Sequence, residues 1–327
     1  MKRITIKELA IITGHSKSTV SNALNGKGGV SDKEREKILS KARELGYFPN
    51  ALARKMSSGN YRTVGIILRN IGSPFYSDIF DIVDSVSKEH DYQILFYNLR
   101  DEEKNLSTAL DFMRGQQVDG IILDSFGNNE EINKSIIESK IPTVIFGLNV
   151  IEDISCVQAD DEGASRDAVD YAVSKGYKNI YFLSQGNNSY YEVRRLNAIK
   201  ERVLFNGLPF DDHHFIHQED ISILVKEVIK SCPKNSLLMC YNDMFACRVI
   251  SELMKHEKYV PKDYSIIGFD NISIIPYSLT TIEIPSKKMG EVAIKHLFDL
   301  IENEDAKKKK ITLKAKLIIR DSVKDLT

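Results

Sequence analysis

Residues 16–31, SKSTVSNALNGKGGVS, crowd serine and threonine hydroxyls together with Lys17 and Lys27 and carry no acid, yet keep Val20, Ala23 and Leu24 at helical spacing. A solvated loop has no use for an apolar stripe, and a purely structural helix has no use for so many small donors. The two requirements meet in a short helix with one face packed inward and the other offered to a polar partner.

The neighbouring segments supply what such a helix would pack against. Upstream, Thr5-Ile6-Lys7-Glu8 has the capping-box pattern, so a first helix starts after Thr5, buries Ile6, Leu9 and Ala10, and stops near Gly14. Ser16 then caps the second helix, and the short glycine-containing turn around His15 is that of a helix-turn-helix. Downstream, Ser31-Asp32-Lys33-Glu34 is a second capping box opening a third helix, which buries Ile38, Leu39, Ala42 and Leu45 and ends at Gly46.

Charge separates this head from the rest. Residues 1–60 hold 12 Lys and Arg against 5 Asp and Glu, while the remaining chain holds 33 against 41, which the overall charge of −1 conceals. A small basic head on a mildly acidic body is the electrostatic footprint of a nucleic-acid binder. The outward face of the second helix, Lys17, Ser18, Ser21, Asn22 and Asn25, consists of short hydrogen-bonding side chains suited to base edges and phosphates in the major groove. With the caps and their neighbours, the candidate DNA-contacting residues of the head are Thr5, Ser16, Lys17, Ser18, Thr19, Ser21, Asn22 and Asn25. An interaction module of three capped helices is the alternative.

After Pro49, Asn50 can cap a fourth, very short helix reaching Lys55 or Met56, with Gly59 behind it. Two turns are marginal in water, so this segment folds only when paired with its copy or pressed into DNA; an ordinary linker is the other reading.

The stretch TIKELAIITGHSKSTVSNALNGKGGVSDKEREKILSKARELGYFPNALARKMSSG resembles the head and hinge of the LacI/GalR family of bacterial transcription repressors. The resemblance continues through TVGIIL, SPFY, VDGIIL, NDMFA, IIGFDN and LTTIEIP, and so covers essentially the whole chain. It implies a helix-turn-helix domain over 1–48, a hinge over 49–60, and an effector-binding and dimerising core over 61–327. In that family the hinge helices of a dimer enter the minor groove and wedge an apolar side chain between base pairs. Met56 takes that place here, where leucine is usual, and the hinge adds Asn50, Ala53 and Met56 to the DNA-facing set. Asn22 stands where arginine or histidine is more usual.

From Thr63 onward, apolar runs alternate with amphipathic stretches. TVGIIL, YQILFYN, VDGIILD, PTVIFG, NIYFLS, SLLMCYN and YSIIGFD read as buried strands, and 76–90, 102–115, 161–175, 190–205, 220–230 and 243–255 as helices. This alternation predicts an α/β architecture of doubly wound parallel sheets, and its length favours two lobes. The resemblance implies a periplasmic-binding-protein-like core with chain crossovers near 158–160, 284–287 and 317–321. The N-lobe would then span 61–158 and 287–317, and the C-lobe 159–284 and 318–327.

Ligands of such sheets bind beyond the carboxyl ends of the strands, so Arg69, Asn70, Asp124, Asp160, Asn242, Asp243 and Asp270 are candidates, Asp243 also as a helix cap. The resemblance assigns Arg195 and Asp270 to effector hydroxyls and adds Asn242, Asp160 and Phe75 to the pocket. Ile221 falls where many relatives place an aromatic ring. Carboxylates and arginine together suit a sugar-like effector. Arg69 replaces a small or acidic residue of most relatives, and with Arg195 it would admit an anionic effector such as a sugar phosphate or sugar acid; pointing to solvent or pairing with Asp124 is the alternative.

Other classes find little support. No GxSxG, P-loop or HExxH occurs, so no enzyme is expected. Cys156, Cys232, Cys240 and Cys247 form no CxxC pair and read as buried free thiols, with no metal and no cofactor. His213, His214 and His217 cluster in what reads as a surface connection, and the Lys307–Lys310 run reads as a solvated turn. No apolar run approaches the ~18 residues that span a bilayer, and the N-terminus lacks a secretion signal, so a cytoplasmic protein without membrane contact is expected. A solute receptor shares the body but not the basic head. The expectation is a repressor of sugar genes that binds operator DNA as a homodimer through 76–90 and 244–256, with no tetramerising tail. Effector binding would shift its population away from DNA. The alternative is a global carbon regulator of the same family controlled by a phosphorylated carrier protein.

Overall fold

The computed structural model describes residues 4–24, 26, 28–47, 61–100, 103–125, 130–147, 153–186, 190–303 and 305–327. The hinge and its candidate residues Asn50, Ala53 and Met56, as well as Asn25, lie outside the described residues. The chain divides into two compact units, Met1–Arg62 and Thr63–Thr327.

In the first unit, α1 (Ile6–Thr13), α2 (Lys17–Leu24) and α3 (Asp32–Glu44) enclose Leu9, Ala10, Val20, Ala23, Ile38 and Ala42. Ile6, Leu24, Val30, Leu45 and Tyr47 close the edges of this core; Leu39 is half-buried outside it. Both capping boxes form: the Thr5 and Ser31 hydroxyls accept from the N–H groups of Glu8 and Glu34, whose carboxylates accept in return. Gly14, at φ 72°, ends α1 in the left-handed conformation that glycine adopts without a Cβ penalty.

The second unit contains two six-stranded sheets. The first has the order β11-β5-β4-β3-β1-β2, from β1 (Thr63–Leu68), β2 (Gln93–Asn98), β3 (Gly120–Asp124), β4 (Thr143–Phe146), β5 (Ser155–Asp160) and β11 (Lys310–Lys314). The second has the order β12-β10-β9-β8-β6-β7, from β6 (Ile180–Ser184), β7 (Phe215–His217), β8 (Leu237–Cys240), β9 (Ser265–Phe269), β10 (Thr280–Glu283) and β12 (Lys316–Ile318). All pairings are parallel except β10 with β12. Helices α4 (Phe75–Glu89), α5 (Leu106–Gly115), α6 (Glu130–Ser139), α7 (Asp161–Ser174), α8 (Tyr190–Phe205), α9 (Ile221–Ser231), α10 (Asp243–Lys255) and α11 (Ser286–Glu302) cover the sheets. Parallel strands buried on both faces explain the unbroken apolar runs of β1, β3 and β9.

Five strands were not legible as apolar runs: β5, β7, β10, β11 and β12. The first crossover therefore follows Asp160, because 158–160 belongs to β5, which pairs with β4 and β11. The third crossover lies at Ala315, not 317–321. Lys316 and Leu317 pair antiparallel with Glu283 and Ile282, so they belong to the second lobe. Both final strands are edge strands: β11 alternates the polar Lys310, Thr312 and Lys314 with Ile311 and Leu313, and β12 is only Lys316, Leu317 and Ile318, so neither offers a buried run to find. Lys310 accordingly opens a strand instead of ending a turn.

Two smaller expectations also change. His214 is buried, stacked on Tyr181 and Phe210 and bonded to Asp211 at 2.8 Å, so it belongs to the core and not to a surface connection. Cys156, Cys232 and Cys240 are buried thiols, whereas Cys247 is half-buried.

Candidate functional site

Between the carboxyl ends of the two sheets lies a cavity of about 760 Å³. Arg69 and Asn70 reach it from the end of β1, Asp124 from β3, Gly147 from β4, Asn242 from β8 and Asp270 from β9. The fold thus aims one polar residue after another into the crevice where doubly wound sheets bind ligands. Of the residues expected to take an effector, Arg69, Asn70, Phe75, Asp124, Arg195, Asn242 and Asp270 line this cavity.

Asp160 and Ile221 do not. Asp160 is exposed and caps α7, its Oδ1 accepting from the Gly163 N–H at 2.9 Å. The next residue, Asp161, is 3% exposed and lines the cavity in its place. Ile221 opens α9 and packs against the core of the second lobe. Asp243 is not the helix cap either; Asn242 caps α10, its Oδ1 accepting from the Phe245 N–H at 2.8 Å. Asp243 is fully buried, accepting from the Thr281 hydroxyl at 2.6 Å and the Ile272 N–H at 3.1 Å. Gly268 leaves room for it: a Cβ there would sit 2.1 Å from the Asp243 Oδ1.

On the first-lobe wall, Asp124 is 2% exposed and accepts from the Tyr76 hydroxyl and, at 2.9 Å, from the Ser125 N–H. Burial raises its pKa to about 6, with Tyr76 and Arg69 opposing the shift. The Arg69 N–H lies 3.4 Å from the same carboxylate and its Nη1 3.5 Å from the Ser125 carbonyl. Gly147, at φ 109°, admits Tyr191, whose hydroxyl would be 1.7 Å from an added Cβ. Burial pushes the Tyr191 phenol well above its usual range.

The second-lobe wall centres on Arg195. Its guanidinium lies 4.0 Å above the Phe269 ring centroid, and its Nη1 donates to the Tyr241 carbonyl at 2.7 Å. Its Nε is 3.5 Å from Asp161 and its Nη2 3.8 Å from Asp270. Arg194 lies 3.5 Å from Asp161 and 2.9 Å from Glu162. Burial raises the Asp270 pKa, and Arg195 opposes that shift. The two Asp161 carboxylate oxygens and the Arg195 Nε are buried without hydrogen-bond partners. Asp161, Arg194, Tyr76 and Tyr191 are not among the sequence-derived candidates: all four sit on helices, Tyr76 and Arg194 directly beside the expected Phe75 and Arg195, and a search of the residues after strand runs does not reach them.

The polar face of the head is partly committed to its own fold. Thr5 is spent on its capping box. The Ser16 hydroxyl lies 2.7 Å from Ser18 Oγ and 2.8 Å from Thr19 Oγ1, and accepts from the Thr19 N–H at 3.0 Å. Lys17 and Ser18 are exposed, while Thr19, Ser21 and Asn22 are half-buried. Among the described residues no helix is long and apolar enough to cross a membrane. No group of three metal-binding side chains occurs among them.

Known proteins share both units. Residues 5–50 match the family of "Bacterial regulatory proteins, lacI family", and residues 169–323 match the "Periplasmic binding protein-like domain". The chain is 28% identical over 333 residues to the HTH-type transcriptional regulator MalR of Clostridium butyricum, covering 98% of this chain and 99% of that one. Among solved structures, a lac repressor dimer bound to operator and an anti-inducer superimposes with a TM-score of 0.84 at 19% identity, covering 99% of this chain and all of the other. A complex of the transcriptional regulator CelR with cellobiose superimposes with a TM-score of 0.72 at 23% identity, covering 98% and 100%.

Proposed function

Because the chain belongs to the LacI family of bacterial transcription regulators, and is not an enzyme, we propose that it represses sugar-utilisation genes by binding operator DNA as a homodimer and releases that DNA when a sugar enters the cleft. The single observation carrying the effector class is the lining of the cleft, where Asp124, Asp161 and Asp270 offer acceptors, Arg195 offers donors, and Phe75, Tyr76, Tyr191 and Tyr241 surround them with aromatic surface. Such a set holds a hydroxyl-rich molecule by hydrogen bonds and its ring faces by apolar contact.

Charge narrows the class further. Arg194 is matched by Glu162 and Asp161, Arg195 by Asp161 and Asp270, and the charge of Arg69 acts on Asp124, opposing the rise of its pKa, although the guanidinium itself donates to the Ser125 carbonyl. Each cation has an acid beside it, which favours a neutral sugar over the anionic one suggested by Arg69 alone.

At the other end of the chain, Lys17, Ser18, Ser21 and Asn22 of α2 would contact the major groove, and the hinge with Met56 the minor groove. Homodimerisation is assigned to α4 and to α10 with the segment after it, where Phe80, Met254 and Tyr259 are 37%, 46% and 45% exposed. Sugar binding shifts the population of core conformations, and the spacing of the paired heads follows. The complex CelR forms with cellobiose, and that of the lac repressor dimer with its operator, support this reading by analogy.

Calorimetric titration of the full-length protein with neutral sugars, sugar acids and sugar phosphates tests the effector class. A neutral sugar is expected to bind at least about tenfold more tightly than its phosphorylated form, a difference of about 1.4 kcal/mol. Tighter binding of the phosphate would restore the anionic reading. Selection from a randomised duplex pool at low salt tests the DNA partner, and recovery of no preferred sequence would remove the regulator's operator.

A further inference from the structure

The strand β9 ends at Phe269, and the next two residues both have positive φ, 101° at Asp270 and 53° at Asn271. Asparagine tolerates the left-handed region, but 101° lies outside it for any side chain, so the surroundings must impose this turn. The turn aims the Asp270 carboxylate into the cavity, 3.8 Å from Arg195.

What imposes it comes from far along the chain. The Asp270 N–H donates to the Ile282 carbonyl at 2.8 Å. The Asn271 amide bridges two charged residues: its Nδ2 donates to Glu283 Oε1 at 3.0 Å, and its Oδ1 accepts from Arg320 Nη2 at 2.6 Å. Arg320 is itself fixed, its Nη1 donating to the Leu279 carbonyl at 2.7 Å and its N–H to the Thr280 hydroxyl at 2.9 Å. Glu283 is the last residue of β10, after which the chain passes to α11 on the first lobe, and Arg320 follows β12, which enters from the first lobe through Ala315. The amide therefore grips the chain beside two of the three crossings between lobes.

We propose that Asn271 is a positioning residue of the cleft, clamped between Glu283 and Arg320 so that the presentation of Asp270 and the lie of two interlobe crossings are set together. This rests on the reading of Asp270 as an effector-binding residue. A neutral amide is the group the position demands, because its oxygen faces a cation and its nitrogen an anion. An aspartate would keep the contact to Arg320 but set two carboxylates against each other at Glu283.

The test uses Asn271→Asp, Glu283→Gln and the double variant in the full-length protein. Hydrogen exchange without any ligand comes first. Asn271→Asp should raise exchange at 269–273, 279–284 and 316–322 by about tenfold while leaving the head unchanged, and adding Glu283→Gln should restore slow exchange. Titration with glucose, maltose, cellobiose and ribose comes second. The sugar that binds the unaltered protein should lose about tenfold in affinity with Asn271→Asp and regain most of it in the double variant. Unchanged exchange in Asn271→Asp, or no rescue by Glu283→Gln, overturns the clamp. If no sugar binds the unaltered protein, the effector reading fails, and the exchange experiment still decides whether the clamp exists.

Discussion

In the head, the start of each helix is fixed by a side chain at most three residues away: Thr5 with Glu8, Ser16 with Thr19, and Ser31 with Glu34. In the core, the decisive contacts span the chain. Lys310–Lys314 pair with Cys156–Asp160, and Gly290 of α11 brings that helix so close to α4 that a Cβ would meet Ile82 Cγ2 at 2.6 Å. The head is thus assembled from local rules around a small apolar centre, and the core from long-range pairings around a large one. The difference teaches where each part is vulnerable. The head has few buried side chains to lose, and the core places its risk in buried polar groups.

The largest effect should separate the units outright. Leu9 is completely buried in the head, and Leu9→Ala removes about 2–5 kcal/mol, comparable with the whole stability of so small a domain. Calorimetry should show the head transition lost and the core transition unmoved. A shift of the core would mean that the two units do not fold independently.

A second effect belongs to the core. Burial and the neighbouring Asp270 raise the Asp243 pKa to about 7 from 3.8. The folded state then retains a proton that the unfolded chain releases above pH 3.8, so stability should fall as pH rises towards about 7 and level off above it. Asp243→Asn should flatten most of that decline, by at most about 4 kcal/mol. The residual slope should end near pH 6, the value to which Asp124 is raised. Denaturation across this window measures it, and an unchanged slope would show that Asp243 stays ionised throughout.

The smallest effect tests the local rules themselves. Thr5→Ala and Ser31→Ala should each cost about 1 kcal/mol of head stability, and Thr5→Ala and Ser31→Ala together should cost the sum, because the two caps share no partner. A marked departure from additivity would mean that the caps communicate through the small core.

Legibility followed the same division. Caps, glycine stops and apolar stripes act over three or four residues, so the helices of the head and the buried strands β1, β3 and β9 could be read directly. Strand β7 and the edge strands β11 and β12 could not, since short or half-exposed strands have no apolar run to announce them. At the cleft, strand ends identified Arg69, Asp124, Asn242 and Asp270, but not the choice of Asp161 over Asp160.

The order of residues alone therefore determined the three capped helices, the basic charge of the head, the alternation of strand and helix, and which polar side chains follow the strands. The tertiary structure decided which of them meet. Asp161 came to face Arg195, Asp243 withdrew beneath Gly268, and Asn271 reached Glu283 and Arg320. The physical reason is range: hydrogen bonds and periodicity within one turn are written in neighbouring residues, whereas the partner of a buried polar group is set by whatever the sheets bring alongside it.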